Sequence, residues 1–290
     1  MADQVKRYLF FGAHPDDAEE VMGGTAVKLA RAGHVVKFVS MCNGDCGHFD
    51  KKYAGEEGGK LLAARRKKEA ERSAAIGGIS EYEILDCHDC RIQPDLATRE
   101  KVVRIIRKFC PHVVISHRDC DYHADHRATG RVVMDAAYLL KVPLYCPDAP
   151  IPEVNPVFAY SFDPFTDPVP FRADAAVEVD SVLETKLKMM DCHESQYLEW
   201  LPWDRMDKNF TIDRNSSEAR LAYLKKDWLY ANSQAADGAR ALLEQTYGKE
   251  KGSKVVYAES FQLSQYGESV SPEEFRALFL AGDDLPDKKN

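Results

Sequence analysis

No stretch of the chain is long and apolar enough to span a membrane. Nor does positive charge dominate: 39 Lys and Arg against 47 Asp and Glu give a formal net charge of −8. That balance argues against binding nucleic acid by neutralising its phosphates. The basic run Arg65-Arg66-Lys67-Lys68 lies among glutamates in a helical segment and reads as a solvated helix face. A dinucleotide GxGxxG turn, a Walker phosphate loop and a serine nucleophile elbow are all missing, which removes the commonest α/β chemistries. The opening residues carry no cleavable signal and lead straight into a strand, so a cytoplasmic location is expected. In that compartment eight cysteines read as reduced thiols rather than a disulfide framework. Cys87 and Cys90 have CxxC spacing, and Cys42 and Cys46 follow another strand. A four-thiol zinc site is the sharper reading of these, independent rim thiols the plainer one.

What is present is organised around residues 5–17, VKRYLFFGAHPDD. An apolar strand ends in His14, Asp16 and Asp17, at the sheet edge where open α/β folds bind ligands. A second strand, 112–117, ends just before His123, Asp125 and His126. Imidazoles and carboxylates gathered this closely suit a divalent cation, and the mixture favours zinc over magnesium or calcium. The same donors also suit iron(II), cobalt or manganese.

Between these strands, apolar and helical patterns alternate. Strands are expected at 34–42, 82–87 and 112–117, and helices at 18–32, 61–76, 95–109 and 125–140. The glycines at 23 and 24 allow either a close backbone approach or a simple kink. The fold class expected is α/β, a Rossmann-like doubly wound and mostly parallel sheet flanked by helices. Residues 1–290 are read as a single domain, with a core to about 142 and a loop-rich, helical C-terminal elaboration from 143. Seven of the 14 prolines lie between 143 and 168. Beyond them come strand candidates at 157–162, 171–180 and 255–263, helices at 181–192 and 217–247, and a tail, 283–290, expected to fray. The long polar segment after Cys42 suits an active-site rim or lid, and Trp200 and Trp203 suit a pocket wall or core packing.

A catalytic zinc needs three protein ligands and an open position. Five candidates are available, His14, Asp16, Asp17, His123 and His126, leaving one carboxylate and one imidazole over. A spare carboxylate can shuttle a proton from water to a leaving amine, and a protonated imidazole can steady an oxyanion. The inventory matches metal-assisted hydrolysis of an amide or ester.

AHPDDAE at 13–19 with Gly23-Gly24-Thr25, then HADH at 123–126, resembles the LmbE-like or PIG-L zinc-dependent N-deacetylases. Arg66-x-x-Glu69, Lys186 with His193-Glu-Ser-Gln196, and Ala258-Glu259-Ser260-Phe261 resemble that family's later elements, so the pattern spans about residues 5–265. The resemblance implies His14, Asp17 and His126 as ligands of Zn2+, Asp16 as general base and His123 as the cationic oxyanion stabiliser. It further implies Asp125 as the partner orienting His123, and Arg66 as a substrate contact; as a plainer alternative, Asp125 would cap a helix. His193 reads equally as a support to the site or a core residue, and His34, His112 and His117 as structural. Two departures stand out: Cys42-Asn43-Gly44-Asp45 replaces the usual acidic turn, and HADH replaces HPDH. The function implied is removal of acetyl from an N-acetylated amino sugar or glycoconjugate such as an N-acetylglucosamine derivative. The alternatives are an amidase for another amide, such as a thiol-sugar conjugate, and a metal- or sugar-binding protein without turnover. A small N-acetyl sugar is the expected partner, with a homo-oligomer allowed.

Overall fold

A computed structural model describes residues 4–284. Seven strands form one sheet: β1 (Arg7–Gly12), β2 (Val35–Cys42), β3 (Glu81–Cys87), β4 (Val113–Ser116), β5 (Val157–Ser161), β6 (Ala175–Glu178) and β7 (Ala258–Gly267). Their order is β3-β2-β1-β4-β5-β7-β6, parallel from β3 to β5, with β7 antiparallel to both its neighbours. The expected α/β class and mostly parallel sheet are therefore present. β1 pairs with β2 on one side and β4 on the other, so the chain reverses its direction of winding between β1 and β4. The crevice beyond the carboxyl ends of such a pair is where this architecture leaves room for a ligand.

Alternation along β1 divides the core. Tyr8 and Phe10 face one side, Leu9 and Phe11 the other, and all four are fully buried. Burial on both faces explains why the strand reads as a continuous apolar run. On the first side pack α1 (Asp17–Val21), α2 (Gly23–Arg31) and the far side of α3 (Gly55–Gly77). On the second pack α4 (Leu96–Phe109) and α5 (Ala124–Leu139), through Val102, Val103, Ile106, Val132 and Val133. The first side is completed by α6 (Leu183–Asp191), which contributes Met189.

Past α6 a π-helical turn, Gln196–Trp200, leads into α7 (Leu201–Asp204), α8 (Ser217–Asp227), α9 (Tyr230–Gly238), α10 (Arg240–Tyr247) and α11 (Lys249–Gly252). A final helix, α12 (Pro272–Phe279), inserts Phe275 and Phe279 into the first core. It went unforeseen in the sequence, although Ser271 and Glu274 form a capping box with Pro272 at the first turn. Other boundaries differ too. α3 begins at Gly55 rather than 61, because Gly58 packs directly on the main chain of Tyr53. The strand expected from 171 begins at Ala175. Most of the tail expected to fray, from 285 onwards, lies outside the described residues.

Two arginines fix the proline-rich stretch. Arg107 is fully buried and donates to the carbonyls of Leu139, Leu140, Val142, Tyr145, Cys146 and Ala149 at 2.7–3.1 Å. Arg118 grips Asp163 with two nitrogens and also bonds the carbonyls of Phe165 and Val169. No helix among the described residues is long and apolar enough to cross a membrane.

Candidate active site

The turn after β1 folds Asp17 back beneath its own backbone. Asp17 Oδ2 accepts from the amides of Ala13 (2.8 Å) and His14 (2.9 Å) and from His117 Nε2 (3.1 Å). Gly12 permits this, since a Cβ there would lie 2.9 Å from Asp17 Cβ. Three donors on one oxygen leave Oδ1 facing His126 Nε2 at 3.5 Å. Burial alone would raise the carboxyl's pKa, but the charge on His126 and bonds from His117, His126 and His14 hold it well below the usual range.

The two expected imidazole ligands meet at the same point. His14 Nδ1 lies 3.3 Å from His126 Nε2 and 3.8 Å from Asp17 Oδ2. Each ring has its other nitrogen against a carboxylate: His14 Nε2 is 3.2 Å from Asp89 Oδ1, and His126 Nδ1 is 3.1 Å from Asp121 Oδ2. A carboxylate on the outer nitrogen fixes the tautomer and turns a lone pair inward, as at histidine-bound metals. Burial disfavours charge on both rings, yet the surrounding anions outweigh it; His14 is raised strongly and His126 to about 9. The position attracts positive charge. Three overlapping sets of donors here are close enough to share an ion: His14, His123 and His126; Asp17, His117 and His126; His14, Cys42, Asp89 and Asp125.

Asp16 lies beside this point, with Oδ1 2.9 Å from Arg66 Nη2. Burial, reinforced by Asp17, lifts its pKa above the ordinary value against the pull of Arg66. Arg66 is itself buried, lines the cavity, and reaches the carbonyl of Gly44 and, at 3.8 Å, Asp89. His123 caps the start of α5 and its Nδ1 accepts from the amide of Asp125 at 3.1 Å. With Nδ1 occupied as an acceptor, the ring's proton sits on Nε2 and the imidazole is neutral. Burial and the nearby charges of His14 and His126 push its pKa down in the same sense. Asp125 thus orients His123 through its main chain and is not itself the helix cap. Its carboxylate instead binds the amides of Cys90 and Ile92 and approaches His14 Nε2 at 3.7 Å.

Asp89, Asp121 and His117 are the residues the sequence did not single out for the site. His117 was expected to be structural; it stacks on His126 with ring centres 4.3 Å apart. Asp121 stands five residues before His126, within reach across the turn that starts α5. Asp89 lay inside the CxxC pair and was obscured by the thiols. Those thiols form no four-sulfur cluster among the described residues; Cys42 joins the His14 group, and all eight cysteines are free.

The late sequence elements sit behind the site. Lys186 Nζ bonds Glu259 Oε1 at 2.7 Å and the carbonyls of Glu19 and Glu20. Glu259 in turn accepts from the amides of Gly24 and Thr25 at the start of α2. Gly24 makes its close approach to Val179 and Glu259 rather than to the cavity, for a Cβ on it would lie 2.5 Å from Val179 and 3.3 Å from Glu259 Oε1. His193 is buried with Nε2 3.1 Å from Glu19 Oε1.

A cavity of about 680 Å³ opens over these groups, within the ~300–1,000 Å³ range of small-molecule sites. Cys46 and Gly47 from the segment after β2 form part of its rim, as do Trp200, Phe165 and Tyr122. That segment is tied down by His48 Nε2 on Glu199 (2.9 Å) and by a ring column in which Phe49 stacks on Trp203 and Trp203 on Trp200.

Diacetylchitobiose deacetylase of Thermococcus kodakarensis is 30% identical over 207 residues, 70% of this chain and 75% of the relative. Among solved structures, N,N'-diacetylchitobiose deacetylase of Pyrococcus horikoshii is 24% identical, with a TM-score of 0.65 over 90% of this chain and 84% of that one. A 4-carboxy-2-hydroxymuconate hydratase of Pseudomonas putida has a TM-score of 0.66 at 21% identity, covering 92% and 100%. These two likenesses establish the fold, and the second shows that the fold alone does not select the reaction. Residues 9–137, which hold every group converging on the His14–His126 point, match the GlcNAc-PI de-N-acetylase family, and this chain belongs to that PIG-L family.

Proposed function

We propose that the protein is a metal-dependent hydrolase that removes acetyl from an N-acetylated amino sugar or glycoconjugate, with residues 1–290 forming one catalytic domain. The observation that carries this reading is the convergence of His14 Nδ1, His126 Nε2 and the Asp17 carboxylate, each imidazole braced from behind by a carboxylate. Two nitrogens and an oxygen are a donor set that fits Zn2+ with a position left open, and iron(II) fits nearly as well. His14, Asp17 and His126 would hold the ion. When bound, it would supply Lewis acidity, making water acidic near neutral pH and polarising the acetamide oxygen.

The rest follows from this chain's own residues. Arg66 engages Asp16 Oδ1 and leaves Oδ2 to take a proton from the attacking water. The same oxygen then returns that proton to the departing amine, so one carboxyl serves both halves of the reaction. Its raised pKa suits that exchange better than an ordinary carboxylate would. His123 donates its Nε2 proton in a hydrogen bond to the oxygen that gains charge as the carbonyl becomes tetrahedral. A neutral donor of fixed tautomer does this without requiring the imidazolium that the sequence suggested. Relatives named as deacetylases of N-acetylated sugars support the substrate class.

The test is amine release from a panel of N-acetylated sugars by metal-analysed protein, wild type beside Asp16→Ala. Turnover that falls by about 10²–10⁴-fold in the variant, with bound zinc retained, is expected. Bound zinc without turnover on any sugar would remove the substrate class, and protein that neither binds nor needs a metal would overturn the mechanism.

A further inference from the structure

The thiols that follow β2 and β3 are left without a task by the proposed chemistry. The two strands run side by side with Cys42 paired to Cys87, so the segments leaving their carboxyl ends travel together along the cavity's rim. Two hydrogen bonds lace those segments: the Asp89 amide donates to Asp45 Oδ1 at 3.0 Å, and the Gly47 amide donates to Asp89 Oδ2 at 3.0 Å. The residues on either side of Cys46 thus grip the residue just before Cys90. Cys46 and Cys90 are both exposed, and both line the cavity. The other two thiols are less available, since Cys42 is buried and Cys87 packs against the second core.

The surroundings impose the placement of Cys90. Its backbone is left-handed, with φ +64°, a conformation that residues with a Cβ rarely adopt. Asp125 Oδ2 holds its amide there at 2.7 Å, and its Sγ lies 3.5 Å from Asp89 Oδ1. Burial, Asp89 and the neighbouring Cys46 push its thiol up to about 12. The thiolate is the nucleophile in disulfide exchange, so Cys90 is a poor first nucleophile and the exposed Cys46 meets an incoming reagent before it. Once Cys46 carries an adduct it can hold no negative charge, and one of the causes that keep Cys90 protonated is gone.

We infer that Cys46 and Cys90 are a thiol–disulfide pair: a small aliphatic disulfide modifies Cys46, and Cys90 then displaces the adduct to leave a bond between the two. In the first step Cys46 gives its proton to solvent and its sulfur attacks the reagent, whose S–S bond breaks and releases one thiolate. In the second, Cys90 gives its proton to solvent and its sulfur attacks Cys46 Sγ, expelling the other thiolate. Both released thiolates take up protons from solvent. Two protein thiols are oxidised by two electrons, and one small disulfide is reduced to two thiols. An adduct kept on Cys46 would fill part of the cavity's mouth, whereas the internal bond adds no atoms there. Cys90 therefore clears the mouth. The pair depends only on the rim, so it holds whether or not the protein is a deacetylase.

The test treats zinc-loaded protein with oxidised glutathione in the absence of denaturant, alkylates the remaining thiols, and reads the products by intact mass and peptide mapping. Wild type is expected to lose two thiols, keep no glutathione and yield a Cys46–Cys90 link that dithiothreitol reverses. Cys90→Ser should keep one glutathione, on Cys46. Cys46→Ser should form no link and lose its Cys90 thiol about tenfold more slowly or less. Glutathione retained on Cys46 in wild type, a Cys87–Cys90 link, or wild-type thiols that all persist would overturn the pair. Amine release from an N-acetylated sugar should survive oxidation in wild type and fall several-fold in oxidised Cys90→Ser; equal loss in both would overturn the clearing role. If the link maps as expected and no protein, oxidised or reduced, releases amine, the pair stands and the deacetylase reading falls.

Discussion

Two groups of buried charge flank the short helix α1, and they are built differently. Towards the cavity, Asp16, Asp17, Asp89, Asp121 and Asp125 gather round one guanidinium, Arg66, which reaches Asp16 and Asp89, and round imidazoles of which His14 and His126 have their proton affinity increased by their surroundings. Behind the helix the buried anions face positive partners: Lys186 pairs with Glu259, and His193, whose proton affinity Glu19 raises against burial, lies against Glu19, all four side chains fully buried. A balanced set binds the molecule to itself. An unbalanced one, with lone pairs turned inward, is completed only by something from outside. Burial of charge therefore does not mark a functional site; an unpaid deficit of positive charge does.

Removing a donor from the unbalanced group should have the largest effect. Asp17→Ala is expected to abolish both tightly bound zinc and amine release while the protein stays folded, as read by metal analysis, activity and circular dichroism. Loss of activity with zinc still bound would remove Asp17 from the ligand set. The balanced group should fail in the opposite way. Lys186→Met strands Glu259 in the interior and should lower unfolding free energy by about 3–5 kcal/mol, measured by urea denaturation. Zinc content of the surviving folded fraction should hold, and Lys186→Met with Glu259→Gln, which removes the stranded charge and keeps an acceptor for the amides of Gly24 and Thr25, should restore part of the stability.

A gentler probe is Asp121→Asn, which weakens the brace on His126 and leaves the three expected ligands in place. Zinc affinity should fall by about 10–100-fold in a chelator competition, with little change in unfolding free energy. The smallest effect belongs to the rim. Glu199 is partly buried, which would raise its pKa, but bonds from Arg65, His48 and Arg214 bring it down to about 2. A depressed carboxylate stabilises the fold above its unfolded pKa, near 4.3, and that contribution is lost as pH falls through the folded value. Wild type should therefore exceed Glu199→Gln in stability at pH 7, by about 1 kcal/mol or less, and the gap should close between about pH 4.5 and 2.

The unbalanced group was largely legible in the sequence because its parts come in two short runs, each at the end of an apolar strand. His14, Asp16 and Asp17 follow β1, and His123 and His126 follow β4. Their supports were harder to see. His117 ends a buried strand and looks like any core histidine until the sheet order places it beside β1. Asp89 reaches His14 across some 75 residues, from the end of β3. The balanced group gave only scattered letters, since Lys186 and Glu259 carry no periodicity and meet only after β7 has paired with β5 and β6. The proline-rich stretch was least legible of all, because what sets its path lies outside it, in Arg107 and Arg118.

Arg107 has a consequence for how this protein can be altered. Every bond it makes to residues 139–149 is to a main-chain oxygen. The loop's route is written in a helix that precedes it, so its exposed side chains, Leu144 among them, can be replaced while Leu140 and Cys146 stay in the core. For protein engineering, that makes the loop a natural cassette: new sequence could be spliced in at a fixed place, provided its length and carbonyl positions are kept.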